Sequence, residues 1–422
     1  MQKILARSRD RKCGALEGTQ KTPVQTARPV GIKLGTLAIV LMLTLFAGTA
    51  SAQTPQDLHI TFVNVADTTQ GMSEFSQFPA INNGGAVAFV ATPDGAGQGV
   101  FKWDRRGLTP IASTTGSNFS FFADDVAINA ADLVAFRANL KTGGRAAGIF
   151  TSDGITTKTI VNSTDQGLPG FGIGSPSINA SGRVAFQAAR NFFRSAVIFT
   201  GDGGALTSVF DTLNSSFGSF GNVAINASGQ IVFRGILKDR NEGVFLIPNR
   251  NDQSNGLPAG PARVIDVVDT INNPDIFQFG DPVINDAGVV ADFAGGATRV
   301  EVLSGNGSSV TARTDPSSGL FIDIEHPSIN NRGAVAFSAL EANGAEGIFV
   351  ELTGGASPVA ILQTGDPLFG STVTAVSVGR FALNDHLGLV FEYELADGRS
   401  GIAVAALHGD REAPGDEYDS EK

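Results

Sequence analysis

Apolar residues along this chain alternate with small or polar ones in short runs, and Asn, Gly, Asp and Pro cut the runs apart. That is the periodicity of strands and turns rather than of helices. The pattern also repeats. One phrase recurs around Asn82 ("AINNGGAVAF"), Asn129 ("AINAADLVAF"), Asn179 ("SINASGRVAF"), Asn226 ("AINASGQIVF"), Asn285 ("VINDAGVVADF"), Asn330 ("SINNRGAVAF") and Asn384 ("ALNDHLGLVF"), at spacings of 47, 50, 47, 59, 45 and 54 residues. A second phrase begins about 17 residues after the Asn, as in "GVF" ending at Phe101, "GIF" at Phe150 and Phe349, and "GIA" at Ala403. A third follows it, as in "LTPIAS", "TKTIVN" and "PVAILQ". Four strand-like runs in a period near 50 residues predict one four-stranded antiparallel blade per copy.

The count leaves one strand over at the N-terminal end and the last copy one strand short. After the seventh Asn there is a GIA strand but no fourth strand, whereas "LHITFVNVAD" at residues 58 to 67 reads as a fourth strand with no unit before it. Pairing the two removes both exposed edges. The fold class predicted is therefore all-β: a seven-bladed β-propeller over residues 58 to 408, closed by the N-terminal strand in the last blade. A β-solenoid is the alternative, with rungs shorter than this period.

The turn chemistry within the phrase is specific. Asn82, Asn129, Asn179, Asn226, Asn285, Asn330 and Asn384 stand at the first position of a type I turn, and Gly85, Gly182, Gly229, Gly288 and Gly333 at the left-handed residue that closes a three-residue hairpin. Asp132 takes the Gly place in the second copy, and the seventh moves its Gly one position later, to Gly388. In the fifth copy Asp292 stands where the others have Phe, and Phe293 follows, which suggests a bulge. A ring of asparagine ligands is the functional alternative to this structural reading. Phe89, Phe136, Phe186, Phe233, Phe337 and Phe391 recur beside small residues, so they are expected to interdigitate blade on blade.

Composition adds an address. Basic residues including Arg28 and Lys33 precede the apolar run "LGTLAIVLMLTLFAG", and "TASAQ" follows with small residues at Ala50 and Ala52. This predicts a signal peptide over residues 1 to 52, a linker over 53 to 57, and export to the periplasm or the medium; an uncleaved anchor is the alternative. The single cysteine, Cys13, lies in the leader, so no disulfides are expected in the mature chain. With eight of the 30 basic and two of the 41 acidic residues in the leader, the mature chain holds 22 against 39, a net charge of −17. Such a surface argues against binding nucleic acid or anionic lipid. Residues 409 to 422 read as an acidic disordered tail, and the mature chain as a monomer.

The near-literal forms "NNGGAVAF", "NASGRVAF" and "NNRGAVAF", with a GD-P phrase in "QTGDPLFG", resemble a family of bacterial exported proteins built of tandem NxxGxxAF repeats, with extracellular HAF-type repeats as near neighbours. The resemblance covers residues 58 to 407 and implies an architecture without implying an activity. Members often carry a C-terminal sorting segment, from which this short acidic C-terminus departs.

No nucleotide, metal or triad motif appears, and His59, His326, His386 and His408 lack ligand spacing. "TSDGIT" and "TGDGGA" resemble fragments of calcium loops but read as Asp-Gly hairpins, so no cofactor is expected, with calcium the one ion they leave open. The asparagine hairpins lie on one face, and the loops joining strands two and three, with the connections between blades, on the other. On that loop face Asp67, Thr115, Asp165, Asp211, Asp269, Asp315 and Asp366 recur at the blade connections and would either cap turns or form a polar funnel. "ARNFFRS" places Phe192 and Phe193 between Arg190 and Arg194 in a loop, a composition typical of interaction anchors. Two functions follow: a non-enzymatic propeller whose loop face binds a protein or glycan, or a polysaccharide-acting hydrolase or lyase with the funnel carboxylates as acid and base. The degenerate fifth blade is the one break in the repeat, and its "AGGAT" loop offers no catalytic side chain.

Overall fold

The computed structural model describes residues 58–408 apart from 143–145, 167, 169–171, 191–194, 214, 249–261, 267–275, 297–299 and 353–356, and of residues 165, 166, 262–266, 276, 277 and 316 the backbone alone. The expected leader, linker and acidic tail lie outside the described residues.

Seven antiparallel sheets succeed one another along the chain, each ordered from its first strand to its last, as a propeller requires. Blade 2 shows the plan in strands Phe119–Ile128, Val134–Leu140, Ala147–Ser152 and Thr157–Asn162. In blades 1 and 5 the innermost strand is split, into Met72–Phe75 with Ala80–Ile81 and into Ile276–Phe279 with Val283–Ile284. Blade 7 is closed as the strand count requires: His59–Asp67 runs antiparallel to Ser400–His408, from His59 opposite His408 to Asp67 opposite Gly401, with a bulge between Asn64 and Ala66. The Tyr393 hydroxyl donates to Asn64 Oδ1 at 3.2 Å, and the Phe62 ring meets Phe391 edge-on at 6.1 Å.

The core follows from the phrase. In five blades the repeat Phe of the second strand stacks on its cross-strand partner in the third, at 5.6–5.8 Å: Phe89 on Phe101, Phe136 on Phe150, Phe186 on Phe199, Phe233 on Phe245 and Phe337 on Phe349. The stack then packs against small residues of the preceding blade, as Phe136 does against Ala88, Val90 and Val100, and Phe186 against Ala135 and Ile149. Each such ring contributes about 1.5–3 kcal/mol by leaving water. Blade 5 departs from the expected bulge. Val290–Gly296 keeps unbroken register with Val300–Gly305, placing Asp292 opposite Leu303. Asp292 therefore occupies the Phe position itself, fully buried.

The turns match their chemistry. In blade 3 the Gly182 N–H donates to Asn179 O at 2.9 Å, and Asn179 Oδ1 accepts from Ser181 N at 3.2 Å and Arg183 N at 3.0 Å. The closing residue is left-handed at Gly182 (φ 82°) and, without glycine, at Asp132 (φ 61°). Blade 7 corrects the sequence reading: Leu387, with φ 59°, holds the left-handed place, and its N–H donates to Asn384 O. At Gly388, one place later, a Cβ would lie 3.0 Å from the Asn384 amide, a tight contact, although the other copies carry a side chain at that place, as at Ala86 and Leu133.

The asparagines also do something the turn reading missed. Each side-chain Nδ2 donates to the backbone carbonyl of the corresponding asparagine in the next blade: Asn82 to Asn129 (2.9 Å), Asn129 to Asn179 (3.1 Å), Asn179 to Asn226 (3.2 Å), Asn226 to Asn285 (3.1 Å), Asn285 to Asn330 (3.1 Å), Asn330 to Asn384 (3.0 Å) and Asn384 back to Asn82 (3.1 Å). One amide serves its own hairpin through the oxygen and the neighbouring blade through the nitrogen.

Asn179→Ala removes the buried inter-blade bond and the part-buried turn bonds to Ser181 N and Arg183 N, so urea unfolding is expected to show a loss of about 1–2 kcal/mol. Removing residues 58–67 exposes the Ser400–His408 edge. Calorimetry is expected to show the single melting transition replaced by a broader, lower one with association; an unchanged sharp transition would contradict closure.

Candidate functional site

The innermost strands encircle the axis, so their side chains define what the axis can hold. At the asparagine face the ring of turns surrounds a cavity of about 190 Å³, with Ile81, Ile128, Ile178, Ile225, Ile284, Ile329 and Leu383 beneath the amides. The residue after each asparagine forms the rim. In blades 4 to 7 and 1 it builds a second arc of bonds: Asp286 accepts from Ala227 N and Asn331 Nδ2, and Asp385 from Asn331 N, Asn331 Nδ2 and Asn83 Nδ2, at 2.6–3.0 Å. Blades 2 and 3 carry Ala130 and Ala180 there, so the arc is open on one side.

Below this cavity the axis is blocked. Phe381 packs against the cores of blades 1 to 3 and 4 to 6 at once, which a side chain from blade 7 reaches only by standing on the axis. Beside it Arg380, 5% exposed, crosses to the far side, where its Nη2 donates to Val223 O at 2.8 Å and Pro282 O at 3.2 Å. Its guanidinium carbon lies 5.2 Å from the Phe381 ring centre, and Nε and Nη1 have no partner.

Arg380 belongs to a tier the sequence reading did not assemble: the residues four before each asparagine, namely Phe78, Asp125, Ser175, Asn222, Asp281, His326 and Arg380. Ser175 donates its hydroxyl to Asp125 at 2.6 Å and its N–H to Asn222 Oδ1 at 3.1 Å, and Asn222 donates through N and Nδ2 to both oxygens of Asp281 at 2.9 and 2.7 Å. His326, at φ 48°, meets Phe78 edge-on at 4.5 Å. The signal was available, since six of the seven aligned positions, all but Phe78, are polar.

Burial controls the ionisation of nearby groups. It holds the Asp292 carboxyl well above its usual range; the Asp281 charge adds to this, while the Phe293 N–H, Arg234 and Arg380 oppose it. Asp292 Oδ2 has no partner. Glu392 is pushed up to about 7, first by burial and then by the charge of Glu394, against a hydrogen bond from Ser377.

The residues proposed from sequence stand elsewhere. Asp67, Asp211, Asp315 and Asp366 are each engaged by their own turns: Asp67 with Thr69 and Asn64, Asp211 with Leu213, Asp315 with Ser317, and Asp366 with the Gln363 N–H at 2.8 Å. Thr115 Oγ1 accepts from Gly97 N at 3.0 Å. Asp165 falls in the short helix Ser163–Gln166, and Asp269 lies outside the described residues. Phe192, Phe193 and Arg194 are also outside them; Arg190 is paired with Asp211 at 3.3 Å and lies over Phe199. Asp153 and Asp202 each bond to N–H groups of their own hairpins. Among the described residues no group of three or more His, Cys, Asp or Glu side chains is placed to hold a metal, and no helix is long and apolar enough to cross a membrane.

Residues 52–213 match the model of a family of unknown function (DUF7453). No curated protein matches the chain. Among solved structures it is similar to a prolyl endopeptidase, with a TM-score of 0.50 and 12% identity over 80% of this chain and 50% of that one. It is also similar to prolyl oligopeptidase B from Galerina marginata, at TM-score 0.48 and 10% identity over 82% and 52%. A third is the β-propeller domain of the Trilobed protease from Pyrococcus furiosus, at 0.37 and 11% over 71% and 95%. The chain spans about half the length of the first two, and at these identities the likeness is one of fold.

Glu392 gives a pH test. A carboxyl whose folded pKa is raised favours the folded state below its ordinary value of 4.5, and that contribution is lost as pH rises through about 7. Stability is therefore expected to fall by roughly 3 kcal/mol from this group across that window. Glu392→Gln should flatten the slope and raise the melting temperature at pH 8; a slope unchanged by the substitution would contradict the assignment.

Proposed function

We propose that this chain is an exported, non-enzymatic β-propeller whose loop face binds a protein or glycan. The observation that carries the reading is the exposure of large apolar side chains at the loop-face end of the blades: Phe121 at 46%, Leu213 at 60%, Leu320 at 43% and Ile322 at 57%. The described residues also expose Leu108, Ile155 and Val359 at the opposite, hairpin end, so these four are the loop face's share of the exposed apolar surface, and a partner seated there would cover them. The net charge of −17 beyond the leader disfavours phosphate-backbone partners. The alternative, an acid/base pair on a polysaccharide, fits less well. Burial raises Asp67, but hydrogen bonds from Thr69 and Asn64 outweigh it and leave the carboxyl lowered; at Asp315 the Ser317 hydroxyl and N–H lower it as well. A general acid at neutral pH needs the opposite direction.

The test is capture on the immobilised mature chain from culture medium and envelope extract, alongside a glycan array and a turnover assay on the same glycans. Retention of a specific protein or glycan that Leu213→Ser weakens is the expected result. No retention of either class, or turnover abolished by Asp211→Asn or Asp366→Asn, would overturn the reading.

A further inference from the structure

We propose, resting on the binding reading above, that the partner at the loop-face mouth of the axis is a polypeptide segment carrying both basic and apolar side chains. Two innermost strands supply the geometry. In blade 2 Phe122 is fully buried and the half-buried Phe119 packs with it against the core, and in blade 6 Phe321 and Ile324 face the core in the same way. Register shifts between Phe119 and Phe121, and between Phe321 and Asp323, set two residues outward in each strand: Ser120 with Phe121, and Ile322 with Asp323. A second shift further along each strand, between Phe122 and Val126 and between Glu325 and Ser328, accompanies the exposed carboxylates Asp124 and Glu325. Leu320 adjoins the blade 6 group and is exposed.

Both flanks of the mouth thus present the same pair of chemistries, an apolar side chain and carboxylates a few residues apart. Neither strand contains a lysine or arginine. Burial, and then the charge of Asp125, raise the Asp124 carboxyl, and Asp323 Oδ1 accepts from the Ile324 N–H at 2.9 Å. Among the described residues no lysine or arginine forms an ion pair with Asp124, Asp323 or Glu325. Blades 2 and 6 stand three steps apart in a ring of seven, so one occupant reaching both lies across the mouth, over the Arg380 and Phe381 block. An extended segment does this with leucine-like side chains on Phe121 and Ile322 and lysine or arginine on the carboxylates. The strongly acidic surface raises its encounter rate.

The test uses the mature chain and three synthetic peptides of equal length, composed of Leu and Lys, of Leu and Glu, and of Ser and Lys, with fluorescence anisotropy at low and at physiological salt. The Leu/Lys peptide is expected to bind. Phe121→Ser and Ile322→Ser should each weaken it roughly tenfold, and Asp124→Asn with Asp323→Asn should slow association and flatten the salt dependence. Asp202→Asn, on a hairpin of the opposite face, should leave binding unchanged, and melting curves check that every variant is folded. Equal binding of the Ser/Lys or Leu/Glu peptide, or indifference to the mouth substitutions, would refute the proposal. So would failure of all three peptides; if capture or the glycan array still retained a partner, the wider binding function would stand without it.

Discussion

One side-chain amide, repeated seven times, is the constraint on which the ring depends. Each asparagine must satisfy a hairpin through its oxygen and a neighbouring backbone carbonyl through its nitrogen, at separations of 2.9–3.2 Å for the latter. Neither aspartate nor serine offers both an acceptor and a donor at that reach. Because the circle returns from Asn384 to Asn82, the spacing of every blade is tied to that of the others. The stacked phenylalanines bury large apolar surfaces, but apolar packing is non-directional. The amide circle fixes how many blades there are and how they are turned.

The axis is where the symmetry yields. Blade 7 fills the axis with Arg380 and Phe381, an arginine and a phenylalanine where no other copy has that pair. A buried guanidinium with two unpaired nitrogens is costly unless the surroundings compensate. Here the compensation is two carbonyls and an aromatic face. Asp292, the residue that makes the fifth copy look degenerate, lies in the same electrostatic neighbourhood as the arginine that closes the axis.

The sequence made the scaffold legible because its elements are local and repeated. A turn needs Asn and Gly at fixed offsets, a blade interface needs Phe beside Ala, and the odd strand at each end needs a partner. What it hid depends on neighbours that only the ring brings together. The nitrogen of Asn179 meets a residue 47 positions away, so its second role has no local signature. Leu387 takes a left-handed conformation that its residue type disfavours, held there by the turn in which its N–H donates to Asn384 O. The paired Arg190 and Asp211 were read as parts of two separate features of the loop face because they are 21 residues apart along the chain. The polar tier was readable as an aligned column, since it lies at a constant offset, but it looked like scattered substitutions in each copy alone.

The seam in blade 7 has a consequence for how this molecule is made. Blades 1 to 6 are each built from consecutive strands, so every one can form as soon as its own residues are available. The seventh joins residues as far apart as Thr61 and His408, 347 positions in sequence. The first strand to be synthesised must wait, with its edge open, for the last. Assembly is thus a zipper with a delayed clasp, and the interval before clasping is when the chain is most exposed to pairing with the wrong neighbour.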